Sequence, residues 1–400
     1  MRKSWRLPVA LVTAVVVAQA AVIIMRPRDR GPEPVPVDPR AYFSAAQIDR
    51  ADDFRSGQRW LFLAQTAIGL GVLVVIVRHP PRRLTGLPRP LLAGAATAAA
   101  ISLAGLAAGL PLAVVARERA KDVGLVTQDW VGYAGDVAKN AGIGAVIAAA
   151  GGALFVLGLR RLGERWWIAG AVIVVAYGAA TTYASPVVLA PLFNDFRKLP
   201  AGELRSDVLR LAREAGVDAG EVYEVDASRR TTAANAYVAG VGRTKRVVIY
   251  DNLIEDFTPA ETRHVVAHEL GHAHYHDLRN GLIWVAIVAV PGMWALAELT
   301  RRFGGPASAG ARAVPAVALG IAIVVPVMTM VSNQLSRAVE ARADAFALEL
   351  TREPETLIGF QRRIAIQNVS DVDPPALYAF LFGTHPTTMQ RIGVGEAFER

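Results

Sequence analysis

TPAETRHVVAHELGHAHYHDLRNGLIWVAIVAV, residues 258–290, decides how the rest of the chain is read. Five of the seven histidines lie between His264 and His276, and an uncharged apolar run begins at Gly281. The start is a helix signal: Thr258 as N-cap, Pro259 at the first helical position and Glu261 closing a capping box. On that helix His268 and His272, four residues apart, share a face and can offer imidazole nitrogens to one Zn²⁺ at about 2.0–2.1 Å. Glu269 lies roughly 100° round from His268, near enough to reach a metal-activated water without being a ligand. H-E-x-x-H therefore points to metal-assisted hydrolysis with Glu269 as general base. A polar helix end with solvated histidines is the competing reading of the pentapeptide alone.

Catalytic zinc usually keeps three protein ligands and one open position. The best distant candidate is Glu340 in SRAVEARAD (336–344), with Asp344 one helical turn later, on the same face and able to accept the outer N–H of a ligand histidine. Between His272 and Glu340 lie two apolar runs, 281–297 and 313–331. Two crossings of a bilayer return the chain to the side it left. The hairpin thus delivers Glu340 to the histidines, and the direct join between histidine cluster and apolar run acquires a reason. His264, His274 and His276 drift off the ligand face and are expected to support the site from behind or to face solvent.

Composition agrees with a membrane protein. The chain has 400 residues, 53% of them hydrophobic, and a mean hydropathy of +0.32. Seven runs are long enough to span a core of about 30 Å: 7–25, 60–77, 91–115, 141–159, 166–190, 281–297 and 313–331. The basic balance, 43 Lys and Arg against 35 Asp and Glu, does not mark a nucleic-acid binder, because the arginines flank apolar runs instead of forming a stripe. No cysteine is present, which excludes thiolate chemistry and leaves His, Asp and Glu as metal ligands. MRKSWR followed by apolar residues through Met25 resembles a signal peptide, but the length of the run favours an uncleaved first span.

The expected organisation is five transmembrane helices with two polar loops (1–190), a first part of a zinc-protease domain carrying the HExxH helix (191–280), a transmembrane hairpin (281–331), and a second part with the third ligand and C-terminal helices (332–400). The polar link 26–59 reads as a surface loop with one short helix. Within 191–280, ELRSDVLRLAREAG (203–216) predicts an amphipathic helix stopped at Gly216. VYEV (222–225), NAYVAG (235–240) and RVVIYD (246–251) predict strands, the last two joined by a turn around Gly240 and Gly242.

At these residues the chain resembles the family of integral-membrane zinc endopeptidases that includes type I CAAX prenyl proteases and heat-shock-type quality-control peptidases. PLFND (191–195), NAYVAG, KRVVIYDNL (245–253), HELGH (268–272), SRAVEARAD and GTHPTTMQRI (383–392) occur in that family's order. The resemblance implies a polytopic α-helical membrane protein of about seven spans with a gluzincin-like, mainly α zinc-protease domain carrying a small β-sheet. It implies one Zn²⁺ on His268, His272 and Glu340, with Glu269 as base and Asp344 orienting a ligand histidine. It further implies that Asn235 and Tyr237 bind substrate from an edge strand, that His385 helps stabilise the oxyanion, and that Arg391 holds the site's carboxylates.

The expected partners are a peptide or membrane-protein substrate and the lipid bilayer, in a multi-pass cell-membrane location. The transfer of lipidated C-terminal cysteine substrates is weakened, because the Ala-, Val- and Arg-rich composition looks like that of a high-GC bacterium, where such substrates are not expected. The basic N-terminus predicts an outward-facing active site, whereas the family comparison implies a cytoplasmic one. Two other function classes compete. A divalent-metal transporter predicts ionisable groups inside several spans, which are almost free of them. A catalytically silent scaffold has no use for Glu269 beside both histidines.

Overall fold

A computed structural model describes residues 5–240 and 245–398; Arg2 and Lys3 of the basic N-terminus and Gly242 of the expected turn lie outside them. The chain opens with α1 (Arg6–Met25), the short α2 (Pro39–Tyr42), α3 (Ala45–Arg78), the short α4 (Arg82–Thr85), α5 (Pro90–Asp122), α6 (Trp130–Leu162) and α7 (Trp166–Val188). β1 (Phe196–Lys198), α8 (Glu203–Glu214), β2 (Glu221–Val225), β3 (Ala236–Ala239), β4 (Arg246–Tyr250), α9 (Asp251–Asp256) and α10 (Pro259–His274) follow. The long helices α11 (Asp277–Gly304) and α12 (Val314–Thr351) precede α13 (Pro354–Gln367), α14 (Ala376–Phe382) and α15 (Thr388–Phe398).

Six helical stretches among the described residues are long and apolar enough to cross a membrane. One of them, Trp130–Val188, is two successive helices, α6 and α7, so seven long helices carry the apolar runs. Five of them, α3, α5, α6, α11 and α12, extend well past those runs. The link 26–59 is not mainly loop as expected: after α2, α3 starts at Ala45 under a Ser44/Gln47 capping box and carries the polar residues 45–59 as its first turns. Polar residues disguise this stretch because amphipathic periodicity is absent where a helix projects beyond the apolar layer.

α1 packs on the hairpin through Ala10, Ala14, Ala18 and Ala21, a buried stripe of small side chains that lets helix backbones approach closely. Its two ends are distinguishable. Arg6 sits 3.7 Å from Glu298 near the end of α11, while Val22 packs with Trp284 near the start of α11. The first helix therefore begins at the far end of the molecule from α10.

The sheet is small and mixed, in the order β1-β2-β4-β3, with β2 parallel to β4 and the outer pairs antiparallel. All three predicted strands form; β1, only three residues long, carries no readable alternation. Val222, Val247 and Ile249 from the sheet, Val208 and Leu211 from α8, and Val266 and Leu270 from α10 make one buried core. Each such side chain contributes roughly 1.5–3 kcal/mol by leaving water. That core fixes α10 against the sheet, and β3 is left at the edge beside it.

Candidate active site

α10 begins as its sequence requires. Thr258 Oγ1 accepts from Glu261 N–H, and the Glu261 carboxylate accepts in return from Thr258 N–H at 2.8 Å. The helix crosses α12 at Gly271, where a Cβ would lie 3.2 Å from Phe346 Cδ1 and 3.4 Å from the Ala343 backbone. The missing side chain allows an approach close enough for Glu340, on α12, to reach the histidines.

Three side chains converge there. His268 Nε2 and His272 Nε2 are 3.2 Å apart. Glu340 Oε2 lies 3.2 Å from the first, and Glu340 Oε1 lies 3.7 Å from the second. Ligand atoms placed tetrahedrally about 2.05 Å from zinc are about 3.3 Å from one another, so the spacing is that of a shared metal.

Tautomer chemistry sharpens the point. His268 Nδ1 is 2.8 Å from Asp344 Oδ1, and His272 Nδ1 is 3.0 Å from Asp277 Oδ2. A carboxylate can only accept, so each Nδ1 carries a proton and each Nε2 is the atom left to take a metal ion or a second proton. Two Nε2 atoms facing each other, with a carboxylate beside them, repel unless a proton or a metal cation lies between. Glu340 Oε2 is buried and makes no hydrogen bond among the described residues. Burial favours a neutral His272 ring, yet Asp277 and Glu340 outweigh it and hold the ring at about 10; the site favours positive charge at this point. The donor set fits a divalent metal.

Both aspartates are themselves held. Arg391 donates to Asp344 from Nε at 2.9 Å and from Nη2 at 2.5 Å, and Arg342 Nη2 donates to Asp277 Oδ1 at 2.5 Å. Asp344 and Arg391 are legible in the motifs. Asp277 and Arg342 escape sequence reasoning; the available signal is a carboxylate at the first position of the helix that follows the HExxH segment.

A carboxylate oxygen of Glu269 lies within 4.8 Å of a ring nitrogen of each histidine. Burial pushes its carboxyl up from the ordinary range, the neighbouring histidines opposing, which makes it a better proton acceptor. Glu269 borders two cavities. One, of about 630 Å³, is lined by Tyr237, Val238, His272 and Glu340. The other, of about 500 Å³, is lined by Asn235, His264, His268 and His385. His385 is half-exposed, with Nε2 3.4 Å from Glu340 Oε2 and Nδ1 2.8 Å from Thr384 Oγ1. Burial first, and Tyr250 second, push the Tyr237 phenol up to about 12, so it stays a neutral donor.

Asn235 stands exposed just before the edge strand. Its carbonyl accepts from Tyr250 N–H at 3.0 Å, and its side-chain oxygen from Ala236 N–H at 2.9 Å. The remaining histidines divide: His274 Nδ1 lies 2.7 Å from the Ala215 carbonyl and His276 Nδ1 3.0 Å from that of Ala273, while His264 is fully buried.

Residues 198–396 match the profile of Peptidase family M48. A Bacillus subtilis (strain 168) protein described as uncharacterized metalloprotease YhfN is 27% identical over 376 residues, covering 90% of this chain and 88% of the relative. The Arabidopsis thaliana CAAX prenyl protease 1 homolog is 34% identical over 224 residues, 52% of this chain and 50% of the relative. The Saccharomyces cerevisiae CAAX prenyl protease 1 is 27% identical over 249 residues, 57% and 54% respectively. The match thus spans about half the length of these prenyl proteases. The crystal structure of S. mikatae Ste24p has the same fold, with a TM-score of 0.73 at 18% identity and 99% of both chains covered.

Proposed function

We propose, from the premise that this chain is a multi-pass membrane metalloendopeptidase of family M48, that it uses one Zn²⁺ to cut peptide bonds of membrane-associated or misfolded proteins. His268, His272 and Glu340 hold the metal. The observation that carries this reading is the convergence of the His268 and His272 Nε2 atoms on a buried Glu340 oxygen that makes no hydrogen bond among the described residues. When bound, zinc polarises the scissile carbonyl and acidifies a water.

The chain's own residues do the rest. Glu269 takes the proton from the attacking water and passes it to the leaving amine, a task suited to a carboxyl raised by burial. Asp344 and Asp277 keep the Nδ1 protons in place, so that both rings present Nε2. His385, half-exposed at the second cavity, donates toward the carbonyl oxygen as charge develops there. Asn235 and Tyr237 align an extended peptide along the free edge of β3, as a further antiparallel strand. Anchoring by seven long helices keeps this machinery beside substrates that are themselves in the bilayer.

The test is Glu269→Gln in detergent-purified protein. It should retain about one zinc per chain and lose peptide hydrolysis by about 10²-fold or more. Wild-type rates in that variant would remove Glu269 from the base role.

A further inference from the structure

His264 lies one turn ahead of His268 on α10, is 1% exposed, and has no hydrogen-bond partner at either ring nitrogen among the described residues. Asp344 and Glu261, buried near it, are paired, the first with His268 and Arg391 and the second within the capping box. An unpaired buried polar group calls for an explanation, because it loses water and gains nothing. Burial holds the ring at about 3, so it is neutral and offers one N–H donor and one acceptor nitrogen.

His264 is one of the residues that line the cavity of about 500 Å³ bordering Glu269, Asn235 and His385. Leu253, Val265 and Phe360 supply apolar wall. The cavity therefore sets this neutral donor–acceptor group between an apolar wall and the polar side chains of Thr231, Asn235 and Asn368, next to the carboxylate that handles the proton. A side chain with an uncharged hydrogen-bonding end satisfies both features. An aliphatic side chain leaves the imidazole orphaned, and a charged one gives up its hydration against a neutral ring.

We infer that His264 is a specificity-determining residue that selects, beside the scissile bond, a substrate side chain bearing a carboxamide or hydroxyl over an aliphatic side chain of similar size. The inference rests on the peptidase reading and names a substrate class for it. A site built to hydrogen-bond a substrate group discriminates strongly against an analogue lacking that group.

The test uses the full chain, zinc-loaded in detergent, with matched peptides carrying Gln or Met, and Thr or Val, at each position flanking the cut. At one position the wild type should favour Gln over Met and Thr over Val by about tenfold or more in kcat/KM. His264→Leu should abolish or reverse that ratio at that position alone while keeping its zinc, and His264→Gln should preserve it. Wild-type ratios near one at every position overturn the inference without any variant. So does an active, zinc-loaded His264→Leu with the wild-type ratio. A zinc-loaded wild type that cuts none of the peptides, nor any member of a mixed peptide pool, overturns the peptidase reading and takes this inference with it.

Discussion

His272 Nδ1 lies 3.0 Å from Asp277 Oδ2, and Asp277 is the first residue of α11. The helix that starts the membrane hairpin thus also clamps the second histidine, as Asp344 on the returning helix clamps the first. Each clamp has its own arginine, Arg342 or Arg391. The hairpin supplies Glu340, both aspartates and one of the two arginines.

Removing the clamp releases the ring. Asp277→Ala should weaken zinc binding by about 10- to 100-fold, the usual consequence of losing a partner behind a ligand histidine. Chelator competition on purified protein measures it, and an unchanged zinc affinity would deny Asp277 this part.

Gly271 sets the distance between α10 and α12. Gly271→Val should force the helices apart, with overpacking of roughly 1–3 kcal/mol, and draw Glu340 away from the imidazoles. The expected result is zinc loss out of proportion to the fall in thermal stability. Gly271→Ala, whose added methyl meets atoms 3.2 and 3.4 Å away, should lose less. Equal zinc content in all three proteins would count against the crossing as the determinant.

The Tyr250-to-Asn235 hydrogen bond and the β3–β4 register turn alternate residues of β3 outward. Ala236 and Val238 then direct their N–H groups to the free edge, that of Ala236 onto Asn235 Oδ1. Val238→Pro deletes an outward donor at an edge position where proline is tolerated. It should lower kcat/KM by about tenfold, one hydrogen bond's worth, with zinc content intact. Undiminished kcat/KM with long peptides would dismiss strand addition at this edge.

A folded-state pKa of about 3 for His264, below its ordinary 6.5, makes the unfolded chain bind the extra proton as pH falls. The neutral buried ring therefore contributes no penalty above about 6.5, and stability drains away from there toward about 3. The loss approaches 1.4 kcal/mol per pH unit at most, as a rough ceiling. His264→Leu should flatten the acid side of the thermal-unfolding profile relative to wild type, since the metal ligands titrate in both. Parallel profiles would show that the ring is already partnered or protonated.

Residues whose partners are near in sequence are legible from the order of amino acids alone. His268 and His272 are face neighbours because a helix returns to the same face every four residues, and the Thr258–Glu261 capping box closes within one turn. The apolar runs announce the long helices because a bilayer core demands an uninterrupted apolar length. Glu340 is reachable by counting crossings, and Asp344 follows from its one-turn spacing.

What depends on approach through space is decided only by tertiary structure. The crossing at Gly271, the Asp277–Arg342 clamp, the polar extension of α3 and the three-residue β1 leave no periodic trace, because each is fixed by a neighbour distant in sequence. His264 makes the same point most sharply. In sequence it is one more histidine at four-residue spacing, and its burial without a hydrogen-bond partner among the described residues arises from how α10 packs between the sheet and the C-terminal helices. Local geometry chooses which atoms can bind a metal; packing decides what surrounds them, and therefore what else the site can recognise.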